Sequence, residues 1–349
     1  MKICLVYNAY SGIKKMWVNA FQKRGVTYFM VNIADNDWLE QIIAESFDFA
    51  ITVPNGSLSY QKQLFDERVY IIKYVLGIPI YPSYEELLVY ENKRMLSYWL
   101  KANNIPHPLT NVFYDYNKAQ EYILKVEYPI VAKSNIGAAG SGVKIIHKKE
   151  QALKIINKTF RGKGFPRRRG PNMNKRNSYK RIFSKIFDIK LVKENIHHYK
   201  SIQNDRDKRS IIFQKFIPHD YEWKNVRIGN SYFSHKKVVK KEKASGTGVK
   251  IFVKPPDSLL EFVRWVTDKR GFNSVSVDVF EENKDSYLVN EIQTYFGQPY
   301  DYLMAENDRP GRILFNNGEW IFETGNFNTN HSCDIRLDHA VELFEKKLL

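Results

Sequence analysis

The chain has 349 residues, 43% of them hydrophobic and 14% aromatic, a load that excludes a disordered chain and provides core for two domains or three subdomains. Lys and Arg total 54 against 38 Asp and Glu, a net charge of +16, and two cysteines, Cys4 and Cys333, are too few for a disulfide framework or a zinc cluster. No apolar run reaches the ~18 residues of a membrane span, and the opening MKICLVYNAYSG reads as a first strand, not a signal peptide, so a reduced, cytoplasmic protein is expected.

In chain order, residues 2–8, 27–33 and 49–54 read as strands, separated by helical patterns over Ile13 to Lys23 and Trp38 to Glu45. Strands alternating with helices imply a small parallel sheet of Rossmann-like topology. No G-x-G-x-x-G follows the first strand, so no dinucleotide site is expected there. Gly77-Ile78-Pro79-Ile80-Tyr81-Pro82 brings in a last short strand, with a domain boundary near 82–90. Tyr84 to Ala102 reads as one long helix, ended by Asn103, Asn104 and Pro106. Pro129 to Lys133 is a buried strand that ends in a lysine, runs through a loop of small residues and returns as Val143 to Ile146. Further strands are expected at 211–217, 226–228 and 249–253, then a helix over 258–268 and paired strands at 274–280 and 286–292.

The basic excess is concentrated. Residues 161–209 hold 16 basic and 4 acidic residues, net +12, which leaves +4 for the rest of the chain. Glycines and prolines surround Arg167, Arg168 and Arg169, a loop composition. Tyr179, Ile182, Phe183, Ile186 and Phe187 then recur at helical spacing among lysines and arginines. That pattern suits an anionic membrane surface or polyanionic ligand, and equally an ordinary surface helix packed on the body. No zinc finger, RNP motif or helix-turn-helix pattern supports a nucleic-acid partner.

Two pieces carry chemistry. Lys133 with Gly137, Gly140, Ser141 and Gly142 forms a flap in which glycines let backbone N–H groups approach phosphate oxygens and the lysine adds a point charge; a glycine-rich hairpin without ligand fits as well. Asp278 lies mid-strand in an apolar pattern, and Glu291 and Gln293, two apart, share a face of the next strand. Buried carboxylates beside an amide oxygen need a neutralising cation, and oxygen ligands without Cys or His suit Mg²⁺; pairing with lysines is the alternative.

Taken together, residues from Glu91 to about Gln298 resemble the ATP-grasp superfamily, which includes glutathione synthetase and D-alanine–D-alanine ligase. The similarity is carried by ENKRML with IPHPLT, by YPIVAK through Gly142-Val143, by Gln214-Lys215-Phe216-Ile217, and by Val277-Asp278-Val279 with Asn290-Glu291-Ile292-Gln293. The resemblance implies a fold that mixes α/β and α+β: a Rossmann-like N-terminal domain over 1–88, then a two-subdomain ATP-grasp domain over 89–349. Its lid would span about 108–215, with the basic insert 161–209, and its catalytic subdomain about 216–349. It also implies ATP and Mg as cofactors. Lys93 and Lys133 would contact phosphates, and Gln214 to Ile217 would form the adenine hinge, with backbone groups of Lys215 and Ile217 facing the base. Glu222 would hold the ribose, and Asp278, Glu291 and Gln293 the metal. The implied reaction joins a small-molecule carboxylate to an amine through an acyl phosphate; a phosphotransferase or a nucleotide-gated binding module would share these residues.

This sequence departs from the family pattern at Gln293, where Asn is usual, at Lys215, often Glu, and at Lys224, often Arg. Lys236 and Lys237 follow on the same strand pair as candidates for the reacting groups. Ser245-Gly246-Thr247-Gly248 reads as a small-residue loop over the acyl phosphate or as a plain hairpin turn. A looser likeness to polysaccharide-associated ATP-grasp proteins would make the substrates an amino acid and a sugar, with the insert holding an anionic glycolipid, a sugar nucleotide or the inner membrane face. A homo-oligomer is compatible with the sequence. If residues 161–209 bind an anionic surface, the protein cosediments with phosphatidylserine vesicles at low salt and is released steeply as salt rises; binding that ignores salt overturns this reading.

Overall fold

In a computed structural model, the chain is described over residues 1–8, 13–54, 56, 58–137, 142–166, 200–202, 204–240, 243–244, 249–296 and 302–349. The basic amphipathic pattern at 179–187, Arg167 to Arg169, Gly140, Ser141 and the Ser245 to Gly248 loop lie outside these residues.

The first sheet is parallel, in the order β2 (Thr27–Asn32), β1 (Lys2–Tyr7), β3 (Phe49–Val53), β4 (Ile80–Tyr81). Its central strands are near-continuous apolar runs because helices cover both faces. Helix α1 (Lys14–Arg24) puts Trp17, Ala20 and Phe21 on one face; α2 (Trp38–Ala44) and α3 (Ser59–Tyr70) cover the other with Trp38, Ile42, Phe65 and Val69. The layer beside α1 is completed from far along the chain. Cys333, Leu337 and Ala340 of the last helix pack against Ile3, Leu5, Trp17 and Phe49. Residues 333–345 fall within the range expected for the catalytic subdomain, yet their apolar stripe closes the first sheet. Asp334 of that helix pairs with Lys23 at 2.7 Å and Arg24 at 3.3 Å and accepts from Thr329 and Asn330.

The single helix expected over Tyr84 to Ala102 is two: α4 (Tyr84–Val89) and α5 (Lys93–Ala102). Ser83 and Glu86 form a capping box on α4, and the other Glu86 oxygen accepts from the N–H groups of Asn273 and Ser274, tying α4 to the large sheet. The break falls where Glu91 takes φ 48° and the Asn92 side chain caps α5 by accepting from Met95 N. A non-glycine residue in the left-handed region at the mouth of a helix is a local cost that the surrounding structure must hold in place.

Next comes an antiparallel sheet, ordered β5 (Thr110–Phe113), β8 (Ile211–Lys215), β6 (Ile130–Lys133), β7 (Val143–Ile146). Helices α6 (Tyr116–Lys125) and α7 (Lys149–Phe160) seal one face with Ala119, Ile123, Ile155 and Ile156. The third sheet runs β14 (Ser286–Gln293), β13 (Ser274–Asn283), β9 (Tyr221–Ile228), β10 (Ser231–Lys240), β16 (Arg309–Asn316), β15 (Ala305–Glu306). On its flanks, β11 (Lys243–Ala244) and β12 (Lys250–Ile251) pair with β10, and β17 (Glu319–Thr324) with β16. Helix α8 (Asp257–Asp268) packs Leu259, Leu260, Val263 and Val266 into its core, and the last helix is α9 (Cys333–Glu345).

Strand β9 is longer than the expected 226–228, and only Lys250–Ile251 of 249–253 is strand. β10 was not among the expected strands: Ser234, His235, Lys236 and Lys237 run polar through its middle, although it lies inside the sheet between β9 and β16. The β16–β17 hairpin was also missed, although its two strands are joined by Asn317-Gly318, a strong hairpin signal. Leu337→Ala should lower unfolding free energy by about 2–5 kcal/mol in urea titration, the cost of a core cavity; a change under 0.5 kcal/mol would show that α9 does not close the first core.

Candidate active site

Cross-strand register builds the site. On one face of the large sheet, Glu291 of β14 faces Asp278 of β13, Asp278 faces Lys224 of β9, and Lys224 faces His235 of β10. One row along, Glu222 faces Lys237, which faces Lys250 of β12. Strand alternation keeps these residues on a common face and sends Lys236 to the other. There its ammonium lies 3.7 Å from the Tyr221 ring centre and 4.8 Å from that of Trp223, so Lys236 is not among the site residues the structure brings together. Ser245, Gly246 and Thr247 fall outside the described residues.

Lys237 is the hub. The residue is 4% exposed, and its ammonium lies 2.6 Å from Asp278 Oδ2 and 2.8 Å from Glu222 Oε2. Burial opposes its charge, but the two carboxylates outweigh burial and hold its pKa above the usual lysine range. Burial likewise opposes the Glu222 carboxylate, and Lys237 and His219 draw it down to about 2. His219 Nε2 lies 3.6 Å from Glu222, and Asn290 Nδ2 donates to Glu222 at 3.3 Å. Glu222 is therefore committed to an ionic network, an addition to the ribose role expected of it. Lys224 donates to Ser276 Oγ at 2.8 Å and stands 3.8 Å from Asp278; burial lowers its pKa.

The phosphate-side lysines converge from two other elements. Lys93, at the start of α5, lies 3.4 Å from Glu291 Oε1 and 3.7 Å from Glu91, and donates to the Gly137 carbonyl. Burial works against its charge, but Glu91 and Glu291 outweigh burial and raise its pKa. Lys133, at the end of β6, donates to Asn290 Oδ1 at 3.0 Å; burial and the neighbouring Lys93 push its pKa down to about 8. Asn290 and Glu291 are consecutive, yet both reach the site because the β13–β14 register shifts at Asp278/Val279. At the flap's base, a Cβ on Gly142 would fall 1.7 Å from Ser134 Oγ, and Gly137 has φ 148°, so both positions require glycine.

Beside β14, Gln293 turns its amide nitrogen toward Glu291 at 2.8 Å and Glu91 at 3.4 Å. Two buried oxygens of this corner, Asp278 Oδ1 and Gln293 Oε1, have no hydrogen-bond partner. Orphaned acceptors beside an ionised Glu291 are the donor set a hard cation satisfies. Among the described residues no three His, Cys, Asp or Glu converge to hold a metal by themselves, so a cation here would need oxygens from a ligand.

The hinge segment is partly engaged within the protein. The Lys215 N–H donates to the Leu109 carbonyl at 2.8 Å and is not available to a base, and the Ile217 carbonyl is met by His219 Nδ1 at 2.6 Å. Gln214 is buried and donates to Thr110 Oγ1, while the Lys215 side chain is exposed. Phe216 follows between them, half-buried. The sequence reading missed His219, His235 and Lys250. For His235 a signal existed: it stands two residues before Lys237, on the same face of one strand.

Residues 91–169 match the model of the phosphoribosylglycinamide synthetase ATP-grasp (A) domain. The bifunctional purine biosynthetic protein purD of Dictyostelium discoideum is 40% identical over 67 residues, 19% of this chain and 8% of that protein. The alpha-aminoadipate–LysW ligase LysX of Saccharolobus solfataricus is 32% identical over 98 residues, 27% of this chain and 36% of that one. The chain thus spans well under two thirds of the length of these relatives. Among solved structures, D-alanine–D-alanine ligase from Bacillus anthracis complexed with ATP superposes with a TM-score of 0.56 at 14% identity, covering 100% of this chain and 98% of that one. Carboxyaminoimidazole ribonucleotide synthase from Aspergillus clavatus complexed with ATP gives 0.54 at 10% identity, covering 98% of each chain. The fold is that of the ATP-grasp superfamily, as the order of the motifs implied.

Because the Glu222 pKa lies below its ordinary 4.5, its pairing stabilises the protein fully above that value and loses its effect as pH falls toward about 2. Urea unfolding between pH 5 and pH 3, about the window between those values, should show stability dropping with acid, and Glu222→Gln should flatten that slope. An equally steep slope in the variant would remove Glu222 as its source.

Proposed function

We propose that the protein is a Mg-ATP-dependent carboxylate–amine ligase. The observation that carries this reading is the convergence of Lys93, Lys133, Lys224 and Lys237 on Asp278, Glu291 and Gln293 from three separate parts of the fold. The ligase and synthetase relatives, two of them solved with ATP, support it. In this reading ATP lies between the two antiparallel sheets, with Lys93 and Lys133 at its phosphates. Bringing phosphates beside Lys133 would restore the full charge that burial now disfavours. Asp278, Glu291 and Gln293 would hold Mg²⁺, which supplies charge neutralisation for phosphoryl transfer.

The substrate carboxylate takes the γ-phosphoryl group to give an acyl phosphate and ADP; the amine then attacks the acyl carbon and phosphate leaves. Lys224 and Lys237, held by Ser276, Asp278 and Glu222, would in this reading meet the negative charge that collects on the acyl phosphate. No protein nucleophile is required. The reading extends to an amino acid joined to a sugar or surface-polysaccharide precursor in the cytoplasm. The basic segment 161–209 would approach an anionic glycolipid, sugar nucleotide or membrane face. No helix among the described residues is long and apolar enough to cross a membrane.

The test is mass spectrometry after incubation with Mg-ATP and pooled amino acids, uronic acids and nucleotide sugars, with ADP followed in parallel. Wild type should give a condensation product that falls about 100-fold or more in Glu291→Ala. A stable phosphorylated product would make the protein a phosphotransferase, and nucleotide binding without turnover would leave a binding module.

A further inference from the structure

His235 lies at the far end of the row that starts at Glu291, and its environment is unlike that of the ionic hub. The residue is 1% exposed. Its Nδ1 meets the Leu303 carbonyl at 3.0 Å, a contact that requires the proton on Nδ1. The neutral ring then offers a lone pair at Nε2, and that buried atom has no hydrogen-bond partner. Leaving a buried acceptor unsatisfied is costly unless a ligand completes it. The neighbours of His235 on this face are site residues: Lys224 is directly across on β9, and Lys237 is two residues along the same strand. Phe252 closes one side, its ring centre 5.5 Å from the imidazole.

We propose that His235 is a substrate-binding residue whose Nε2 lone pair accepts an N–H of the incoming amine, orienting the nitrogen's own lone pair toward the acyl carbon. The assignment rests on the ligase reading. It follows from what the ligand must bring to this spot. Asp278, Glu222 and Glu291 already face lysines, so the acceptor on the β10 side is an uncharged nitrogen and the partner must be a donor. Lys224, Lys237 and Lys250 discourage an ammonium in favour of a neutral amine. The same effect is visible on the protein's own groups: burial, then Lys224 and Lys237, bring Lys250 down to about 7. Burial, then Lys250 and Lys224, keep His235 well below its usual value and so an acceptor at neutral pH. The substrate class is therefore a primary amine with little charge of its own near the nitrogen at the moment of attack.

The experiment uses the full chain labelled with ¹⁵N-histidine and hydroxylamine as the probe, a small N–H donor that is uncharged at neutral pH. His235→Asn assigns the resonance. It also separates structure from binding, because the Asn amide can still donate to Leu303 while removing the Nε2 acceptor; His235→Gln restores an acceptor near the Nε2 position. Nε2 should be unprotonated and should shift saturably with hydroxylamine. With the acid found by the product screen, half-saturation by hydroxylamine should rise about tenfold or more in His235→Asn and recover in part in His235→Gln. A protonated Nε2, or a resonance unmoved by excess hydroxylamine, overturns the assignment. If the resonance shifts but no amide forms with any acid, the ligase reading fails while the donor-binding site at His235 stands.

Discussion

Burying the Lys237 ammonium between two carboxylates is the constraint on which the site depends. Removing three charges from water costs several kcal/mol per ion, and only short, well-aligned contacts recover it. Here the contacts are 2.6 and 2.8 Å, and the three residues come from three adjacent strands. The large sheet therefore has one register in which the network closes. A slip of one residue would turn Lys237 to the face where Lys236 packs on Tyr221 and Trp223, leaving Asp278 and Glu222 buried without it. The network is better understood as fixing geometry than as adding stability. It holds Asp278 by one oxygen and leaves the other without a hydrogen bond, 3.8 Å from Lys224.

A second set of contacts ties the other layers to this frame. Lys93 links α5 to Glu291, Lys133 links β6 to Asn290, and Glu86 links α4 to the start of β13. Each is a polar contact between groups far apart in sequence, so the three layers meet at the site through hydrogen bonds and ion pairs. Asn290 stands at the crossing, accepting from Lys133 and donating to Glu222. It joins the phosphate side of the site to the ionic hub.

Much of this was legible in the sequence because the relevant signals are local. The apolar runs of β1 and β3, the lysine closing β6, and Asp278 inside a valine-rich strand each announce themselves within a few residues. What was missed depends on pairings that a linear pattern does not display. The Glu91 bend interrupts a stretch whose helical periodicity runs straight through it, because a left-handed φ leaves no trace in apolar spacing. Asn290 reaches the site only through a register shift. Lys236 and Lys237 look equivalent in sequence and are separated by the pleat alone. The Lys215 N–H is engaged by Leu109, a residue about a hundred positions earlier, just before β5.

The packing of α9 on the first sheet has a consequence for how the protein comes into being. Ile3, Leu5 and Phe49 leave the ribosome long before Leu337 and Ala340, and until those are made α1 alone covers that side of the sheet. At ordinary rates of synthesis that wait is on the order of 20 seconds to a minute. During it, one face of a four-stranded sheet is only partly covered while a long, highly basic stretch of chain is being made. The covalent order of the chain thus places the synthesis of two whole sheets between this core and the helix that completes it, and makes that interval the one in which a chaperone has most to protect.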